Sequence, residues 1–145
     1  MNLPQAKADV LLDHGDIMPT EEIKIDLTAL VMYAGATWDF HRYHYDSAYV
    51  KELGMPAPFV DGQMIGALLA SRLMRWGGGN AFVRRLAYRQ RTTVYVDEVI
   101  VIGGKVTERM VENGRSLVTF NLSVVKSDGT PIVRDGTATV DLGPG

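Results

Sequence analysis

Apolar residues fill nearly every position between Met64 and Trp76, and this run has clear boundaries on both sides. Asp61 precedes the run and is a residue type that caps helix N-termini, while the glycines at 77–79 follow it and favour helix termination. A helix that is apolar on almost all sides is a buried helix. The pattern therefore predicts a long buried helix over Asp61–Trp76, about 24 Å in length at ~1.5 Å per residue.

Alternating apolar and polar positions follow this helix and predict antiparallel strands. Strand patterns cover residues 82–90 and 94–106, and Gly103–Gly104 predicts a bend or bulge in the second of them. The dipeptides Asn113–Gly114 and Asp128–Gly129 are strong hairpin signals that join the remaining strands. The sequence thus predicts an α+β fold in which an antiparallel β-sheet wraps around one long central α-helix.

The N-terminal part of the chain carries weaker patterns. Residues 1–21 show no clear periodicity, which predicts a loosely structured lead-in. Ile23–Leu27 alternates apolar and charged residues and indicates a half-buried strand. Thr28 is then the predicted cap of a short apolar helix whose end is weakened by Gly35.

Composition narrows the class of protein. A length of 145 residues, with 46% hydrophobic and 22% charged residues, fits one globular domain over residues 1–145. The net charge of −2 gives no reason to expect a nucleic-acid partner, and the absence of cysteine excludes disulfides and thiolate chemistry. The N-terminus lacks the pattern of a signal peptide, and the apolar run at 64–74 is too short to span a bilayer. We therefore expect a cytoplasmic protein that does not enter the membrane.

The candidate chemistry is concentrated in residues 37–48, which contain two of the three histidines. Asp39 and His44 are five positions apart, so their side chains would point about 140° apart on a helix and to opposite faces of a strand. The two groups can cooperate only if the backbone between them forms an irregular turn, and catalytic groups are often carried on such loops. Asp46 is the predicted N-cap of a short helix that ends at Gly54.

Two segments of the chain resemble a known signature. The first is Asp39–Asp46, which reads DFHRYHYD, and the second is Phe59–Gly62, which reads FVDG. Together they resemble the MaoC-like, (R)-specific enoyl-thioester hydratase family of hotdog-fold enzymes. The motifs of that family are Asp-x-Asn-Pro-(aliphatic)-His-x-Asp and (aliphatic)-Ala-His-Gly. His41 and Arg42 stand where the family has Asn and Pro, and Asp61 stands where it has His.

The resemblance implies a hotdog fold and the reversible hydration of trans-2-enoyl-CoA to (R)-3-hydroxyacyl-CoA, in fatty-acid or steroid side-chain metabolism. It places the catalytic pair on Asp39 and His44, and the glycine whose amide holds the enolate oxygen on Gly62. An imidazole titrates near neutral pH, a carboxylate can orient it or a water, and the free amides of a helix N-terminus favour a developing anion. The resemblance implies no metal or redox cofactor, since coenzyme A is part of the thioester substrate.

Other residues are candidates for substrate binding. His41, Arg42 and Asp61 lie next to the catalytic pair in sequence or motif, where they either structure the site or contact the substrate. Arginines concentrate between residues 72 and 91, and guanidinium groups suit the phosphates of coenzyme A, although a solvated surface explains single arginines equally well. The candidates among them are Arg84, Arg85 and Arg89.

Several alternatives stay open at this point. Asp39, His41 and His44 together form a possible metal-binding triad, although all three lie within six residues. A hotdog acyl-CoA thioesterase would use a similar scaffold. A non-catalytic acyl-CoA-binding subunit of a heteromeric hydratase is the third alternative. A sheet wrapped on one helix leaves an open edge, so we expect a homodimer or a heteromer with a second hotdog chain.

Overall fold

A computed structural model describes residues 16–145 of the chain. Its elements follow in the order β1 (Ile17–Lys24), α1 (Leu27–Thr37), a 3-10 turn (Arg42–His44), α2 (Ser47–Glu52), α3 (Gly62–Gly77), β2 (Phe82–Gln90), β3 (Val99–Glu112), β4 (Arg115–Lys126) and β5 (Pro131–Pro144). The strands form one five-stranded sheet in the order β1-β3-β4-β5-β2, and every neighbouring pair is antiparallel.

Both predicted hairpins are confirmed. Asn113 and Gly114 join β3 to β4 with φ angles of 51° and 73°, the left-handed values that a tight two-residue turn requires at both positions. Between β4 and β5, the Asp128 side chain accepts a hydrogen bond from the Thr130 amide at 2.9 Å, and Gly129 has a φ of 86°. Local turn chemistry therefore sets the register of the three central strands.

The central helix is also confirmed. Helix α3 spans Gly62–Gly77 and has Asp61 as its N-cap, one residue from each predicted boundary. Ile65, Leu69 and Leu73 recur at helical spacing and are fully buried against the sheet. The sheet wrapped around this helix is the predicted hotdog arrangement. Over residues 16–145, no helix is long and apolar enough to cross a membrane.

The prediction of a strand over 94–106 was wrong at its start. Strand β3 begins at Val99, because Val94 instead accepts a hydrogen bond from the Val60 amide at 2.8 Å and Asp97 turns the chain with a φ of 70°. The predicted irregularity at Gly103–Gly104 is present on the β1 side of β3, where the pairing shifts register between Met18 and Glu21 opposite these glycines. The β3–β4 pairing stays regular there. Gly104 also leaves room for packing, since a Cβ there would lie 3.0 Å from the side chains of Met18 and Leu122.

The lead-in prediction was wrong for residues 17–21, which belong to β1. Met18 is fully buried in the core, and this single anchor explains why a segment with no clear periodicity forms a strand. Residues 1–15 of the predicted lead-in lie outside the described residues. Helix α1 is capped by Asp26 rather than Thr28, because the Asp26 carboxylate accepts from the Ala29 amide at 2.7 Å.

A carboxylate is buried at the end of β5, where Asp141 is only 2% exposed. Arg115 Nε and Arg84 Nε donate to its Oδ2 at 2.6 and 2.9 Å, and the Gly143 amide donates to its Oδ1 at 2.9 Å. These donors, the Arg115 guanidinium first, hold the pKa of Asp141 well below its usual value of 3.8. The ionised carboxylate thus joins β2, β4 and β5.

A lowered native pKa makes the contribution of Asp141 to stability depend on pH. The contribution is fully present above pH 3.8, the unfolded value, and declines as the pH falls below it towards the lower native pKa. We expect Asp141→Asn to lower the free energy of unfolding at neutral pH, by an amount that shrinks in acid. Urea titrations between pH 7 and the acid range measure this difference. Asp135→Asn, a charge-matched change at an exposed position, should show no such dependence. A loss of unfolding free energy in Asp141→Asn that stays constant with pH would contradict the ion-pair account.

Candidate active site

The loop between α1 and α2 is the irregular turn that the spacing of Asp39 and His44 requires. Helix α1 ends at Thr37, its C-cap Trp38 has a left-handed φ of 57°, and the chain then makes a single 3-10 turn. Asp46 caps α2 by accepting from the Tyr49 amide at 3.0 Å, as predicted. The cap residue also pairs with Arg42 at 2.8 Å, which fixes the far side of the loop.

The imidazole of His44 is held by the segment that leads into α3. Its Nδ1 lies 2.8 Å from the carbonyl oxygen of Phe59. A carbonyl only accepts, so Nδ1 carries the proton in the neutral ring and Nε2 keeps a free lone pair. The Phe59 amide in turn donates to the Tyr43 carbonyl at 3.2 Å, and the Phe59 ring stacks on Tyr43 with centroids 5.5 Å apart. The loop and the start of α3 are thereby joined.

Two carboxylates lie beside this imidazole. One donor atom each from Asp39, His44 and Asp61 forms a group in which all atoms lie within 4.8 Å of one another. The Asp39 Oδ1 accepts from the His41 amide at 3.3 Å, and the Asp61 Oδ1 accepts from the Gln63 amide at 2.9 Å. The predicted pair is therefore close in space. Asp61 both caps α3 and adds a third polar group to the pair.

These three side chains line a small pocket whose other walls are mostly apolar. Leu30, Tyr33 and Ala34 come from one face of α1, and Met64 comes from the first turn of α3. None of the four was predicted as a site residue. For the three residues of α1, the only sequence signal is their spacing. It shows that they share a helix face but not which part of the protein that face contacts.

Two tyrosines near the pocket have raised pKa values. Burial is the main cause for Tyr33, and the negative charges of Asp61 and Asp39 add to it. For Tyr88, burial again raises the pKa, a backbone hydrogen bond to Gly66 opposes the shift, and Asp61 reinforces it. Both phenols are therefore protonated at neutral pH and act as hydrogen-bond donors, and the Tyr88 hydroxyl already donates to a backbone carbonyl.

Gly62 opens α3 directly after Asp61, which lines the pocket. Its amide is one of the helix N-terminal groups that have no intrahelical partner, and the Asp61 carboxylate caps Gln63 instead. Its carbonyl accepts from the Tyr88 hydroxyl at 2.8 Å. A Cβ at Gly62 would lie 3.1 Å from Gln90 Oε1, a close contact, and the Gln90 amide nitrogen donates to the Thr92 carbonyl at 3.0 Å.

The remaining predicted residues fall in different places. His41 faces its own loop, where Nδ1 accepts from the Tyr43 amide at 3.3 Å. The Arg42 guanidinium lies over the Tyr49 ring at 4.2 Å while pairing with Asp46, and Arg84 is bound to Asp141. Arg85 and Arg89 are exposed on β2 and make no ion pair within the described part of the chain. Their roles in substrate binding stay predictions.

Solved structures share this architecture. The chain is similar to the ChsH1–ChsH2 complex of Mycobacterium tuberculosis, with a TM-score of 0.77 and 23% identity over 90% of this chain and 98% of the other. An (R)-hydratase from A. caviae involved in PHA biosynthesis gives a TM-score of 0.78 at 18% identity, covering 91% and 98% of the two chains. The (R)-hydratase PhaJ1 of Pseudomonas aeruginosa gives 0.82 at 21%, covering 92% and 83%.

No protein-family model matches the sequence, and no curated protein matches it either. At the identities of the solved structures, the similarity establishes the fold. The chain has the hotdog fold of the MaoC-like dehydratases and (R)-hydratases.

The two loop histidines should hold opposite neutral tautomers. His44 donates from Nδ1 to a carbonyl, whereas His41 Nδ1 accepts from an amide and leaves its proton on Nε2. Long-range 1H–15N correlation NMR at mildly alkaline pH distinguishes the two forms, and His41→Ala and His44→Ala assign the signals. The same tautomer at both positions would contradict this arrangement of the loop.

Proposed function

We propose that this chain, which has the hotdog fold of the MaoC-like dehydratases, belongs with them as a hydro-lyase. Its reaction is the reversible hydration of a trans-2-enoyl-CoA to an (R)-3-hydroxyacyl-CoA. The observation that carries the proposal is the position of Asp39 and His44 beside a free helix N-terminal amide, around one partly apolar pocket. Each group needed for adding water to a conjugated thioester is present there.

The proposed mechanism starts from the free lone pair of His44 Nε2. A water held by Asp39 gives a proton to His44 as its oxygen attacks the β-carbon, and the α-carbon then takes a proton back from the imidazolium. The Phe59 carbonyl, bonded to Nδ1, stabilises the charged ring between these two steps. Only protein groups take part, so the proposed reaction uses no metal or redox cofactor.

Between these steps, the thioester oxygen carries the negative charge of the enolate. The Gly62 amide can donate to this oxygen, and the positive end of the α3 dipole supports it. The carboxylate of Asp61 acts against this stabilisation through its charge. Tyr33 is the protonated donor at the pocket that can offset part of that cost.

The acyl chain of the substrate binds on the side of the pocket formed by α1. Leu30, Ala34 and Met64 give an apolar wall, so the acyl chain enters there, while the coenzyme A end leaves towards solvent. Arg85 and Arg89 are the exposed candidates for its phosphates. Arg84 is a weaker candidate, because Asp141 already occupies its guanidinium.

The proposed assembly is a homodimer or a heteromer with a second hotdog chain. Strands β1 and β2 are the open edges of the sheet, and Phe82 on β2 is 63% exposed. A compared structure is itself a two-protein complex, ChsH1–ChsH2. Because a subunit of such a complex can lack activity of its own, the purified chain should be assayed for activity directly.

The deciding experiment supplies the purified chain with enoyl-CoA substrates of different length and branching and records the product mass. Addition of one water supports the proposed hydration. A free thiol would indicate a thioesterase instead. Binding of acyl-CoA without turnover would favour the non-catalytic subunit.

The first variant test concerns the catalytic pair. Asp39→Asn and His44→Ala should each lower kcat by about 10²–10⁴-fold, because each removes an acid–base group from the reacting centre. Circular dichroism should show an unchanged fold. Glu52→Gln, an exposed charge change on α2, serves as the control with normal kcat. Near-normal hydration by either site variant would contradict the mechanism.

The second variant test separates catalysis from packing at the start of α3. Gly62→Ala should keep or raise the thermal midpoint, because alanine is the better helix former by about 1 kcal/mol and Gln90 can move aside. The added methyl group should still lower kcat/KM, within the ~10²–10³-fold cost of losing an oxyanion donor. Gly79→Ala, where the Cβ meets open space, is the matched control. Unchanged kinetics would remove Gly62 from the site.

A further inference from the structure

The group formed by Asp39, His44 and Asp61, here named the Asp–His–Asp cluster, holds two carboxylates that make no ion pair within the described residues. The ion pairs that the structure describes over residues 16–145 join other side chains, and neither of these carboxylates belongs to one. The nearest arginine in sequence, Arg42, is committed to Asp46. A cation bound between the two carboxylates would interact favourably with both.

The donor atoms of the cluster suit a metal ion in number and in spacing. One imidazole nitrogen and two carboxylate oxygens lie within 4.8 Å of one another. Bonds of about 2.1 Å in a tetrahedral site place neighbouring donors about 3.4 Å apart. Side-chain rotations that move each donor atom by about 1 Å would therefore bring the three donors to one ion without a change in the backbone.

The orientation of each donor is fixed by a hydrogen bond from outside the cluster. His44 uses its Nδ1 proton on the Phe59 carbonyl, which leaves Nε2 for a ligand. Asp39 and Asp61 each use one oxygen on a backbone amide, at 3.3 and 2.9 Å. Metal-binding histidines and carboxylates are commonly held by outer hydrogen bonds of this kind.

We propose that the Asp–His–Asp cluster reversibly binds a divalent transition-metal ion such as Zn²⁺ or Co²⁺, and that the bound ion inhibits the enzyme. The imidazole favours these ions over Mg²⁺ and Ca²⁺, which prefer oxygen ligands alone. Three protein donors leave a further coordination position for water. Inhibition follows because the ion occupies the same Nε2 lone pair that accepts the proton in the hydration.

This cluster differs from the triad that sequence spacing suggested, which used His41 in place of Asp61. The Nδ1 of His41 is occupied by the Tyr43 amide, and its ring centroid lies 6.2 Å from that of His44. Asp61, from another part of the chain, takes its place. The two assignments can therefore be separated by single substitutions.

The test of binding uses Co²⁺, whose visible absorption reports coordination, followed by displacement with Zn²⁺. The wild-type chain should bind one Co²⁺. Asp61→Asn and His44→Ala should weaken binding about 100-fold or more, since loss of a ligand costs at least as much as loss of its outer partner. Asparagine is a good N-cap, so Asp61→Asn should retain α3. His41→Ala and His14→Ala are the imidazole-matched controls and should bind Co²⁺ normally.

Absence of Co²⁺ binding to the wild-type chain would overturn the proposal. Binding that survives Asp61→Asn but is lost in His41→Ala would overturn it as well, in favour of the other triad. Binding lost only in His14→Ala would place the ion elsewhere.

The inhibition part rests on the proposed function and has its own readout. Zn²⁺ should lower hydration in competition with substrate, and a chelator should restore the rate without ever reducing it. Activity that a chelator abolishes, and that Zn²⁺ restores, would overturn the inhibitory role. A chain that binds Co²⁺ but does not hydrate enoyl-CoA would refute the proposed function while leaving the metal site intact. A chain that hydrates enoyl-CoA without binding Co²⁺ would refute the metal site while leaving the proposed function intact.

Discussion

The burial of helix α3 against the sheet is the constraint on which the site depends. Ile65, Leu69 and Leu73 fix the depth and rotation of the helix, and that placement fixes its first turn. The segment just before the helix then holds His44 through the Phe59 carbonyl. One packed helix therefore positions an imidazole that lies well upstream of it in the sequence. The packing that stabilises the fold also orients the groups of the site.

The electrostatic balance at the start of α3 has two opposing parts. The helix dipole and the unpaired Gly62 amide favour an anion, whereas Asp39 and Asp61 favour a cation. The helix dipole and the Gly62 amide would stabilise an enolate, whereas the two carboxylates would stabilise a metal ion. Both proposals for the site follow from the same few atoms, and they differ in which charge the pocket receives. Tyr33 stays protonated beside the two carboxylates, which adds a neutral donor to the balance.

The arginines of β2 show that residues of one type in the same strand can have different surroundings. Three of the candidate arginines lie on β2, yet their environments differ. Arg84 is bound to the buried carboxylate of Asp141 and supports the sheet. Arg85 and Arg89 are exposed and keep their guanidinium groups available to a ligand. The separation arises because β5 brings Asp141 next to only one of them, which the local sequence does not record.

The sequence by itself determined the buried helix, both hairpins and the irregular turn between Asp39 and His44, because these depend on local periodicity, capping and turn chemistry. It did not determine where β1 and β3 begin, since Met18 is anchored by a distant core and the residues before Val99 bond to the chain ahead of α3. Only the tertiary structure showed how close Asp61 lies to Asp39 and His44, and only it placed the α1 face over them. Contacts between residues far apart in the chain leave no periodic signal, so they appear only when the helix and sheet have packed together.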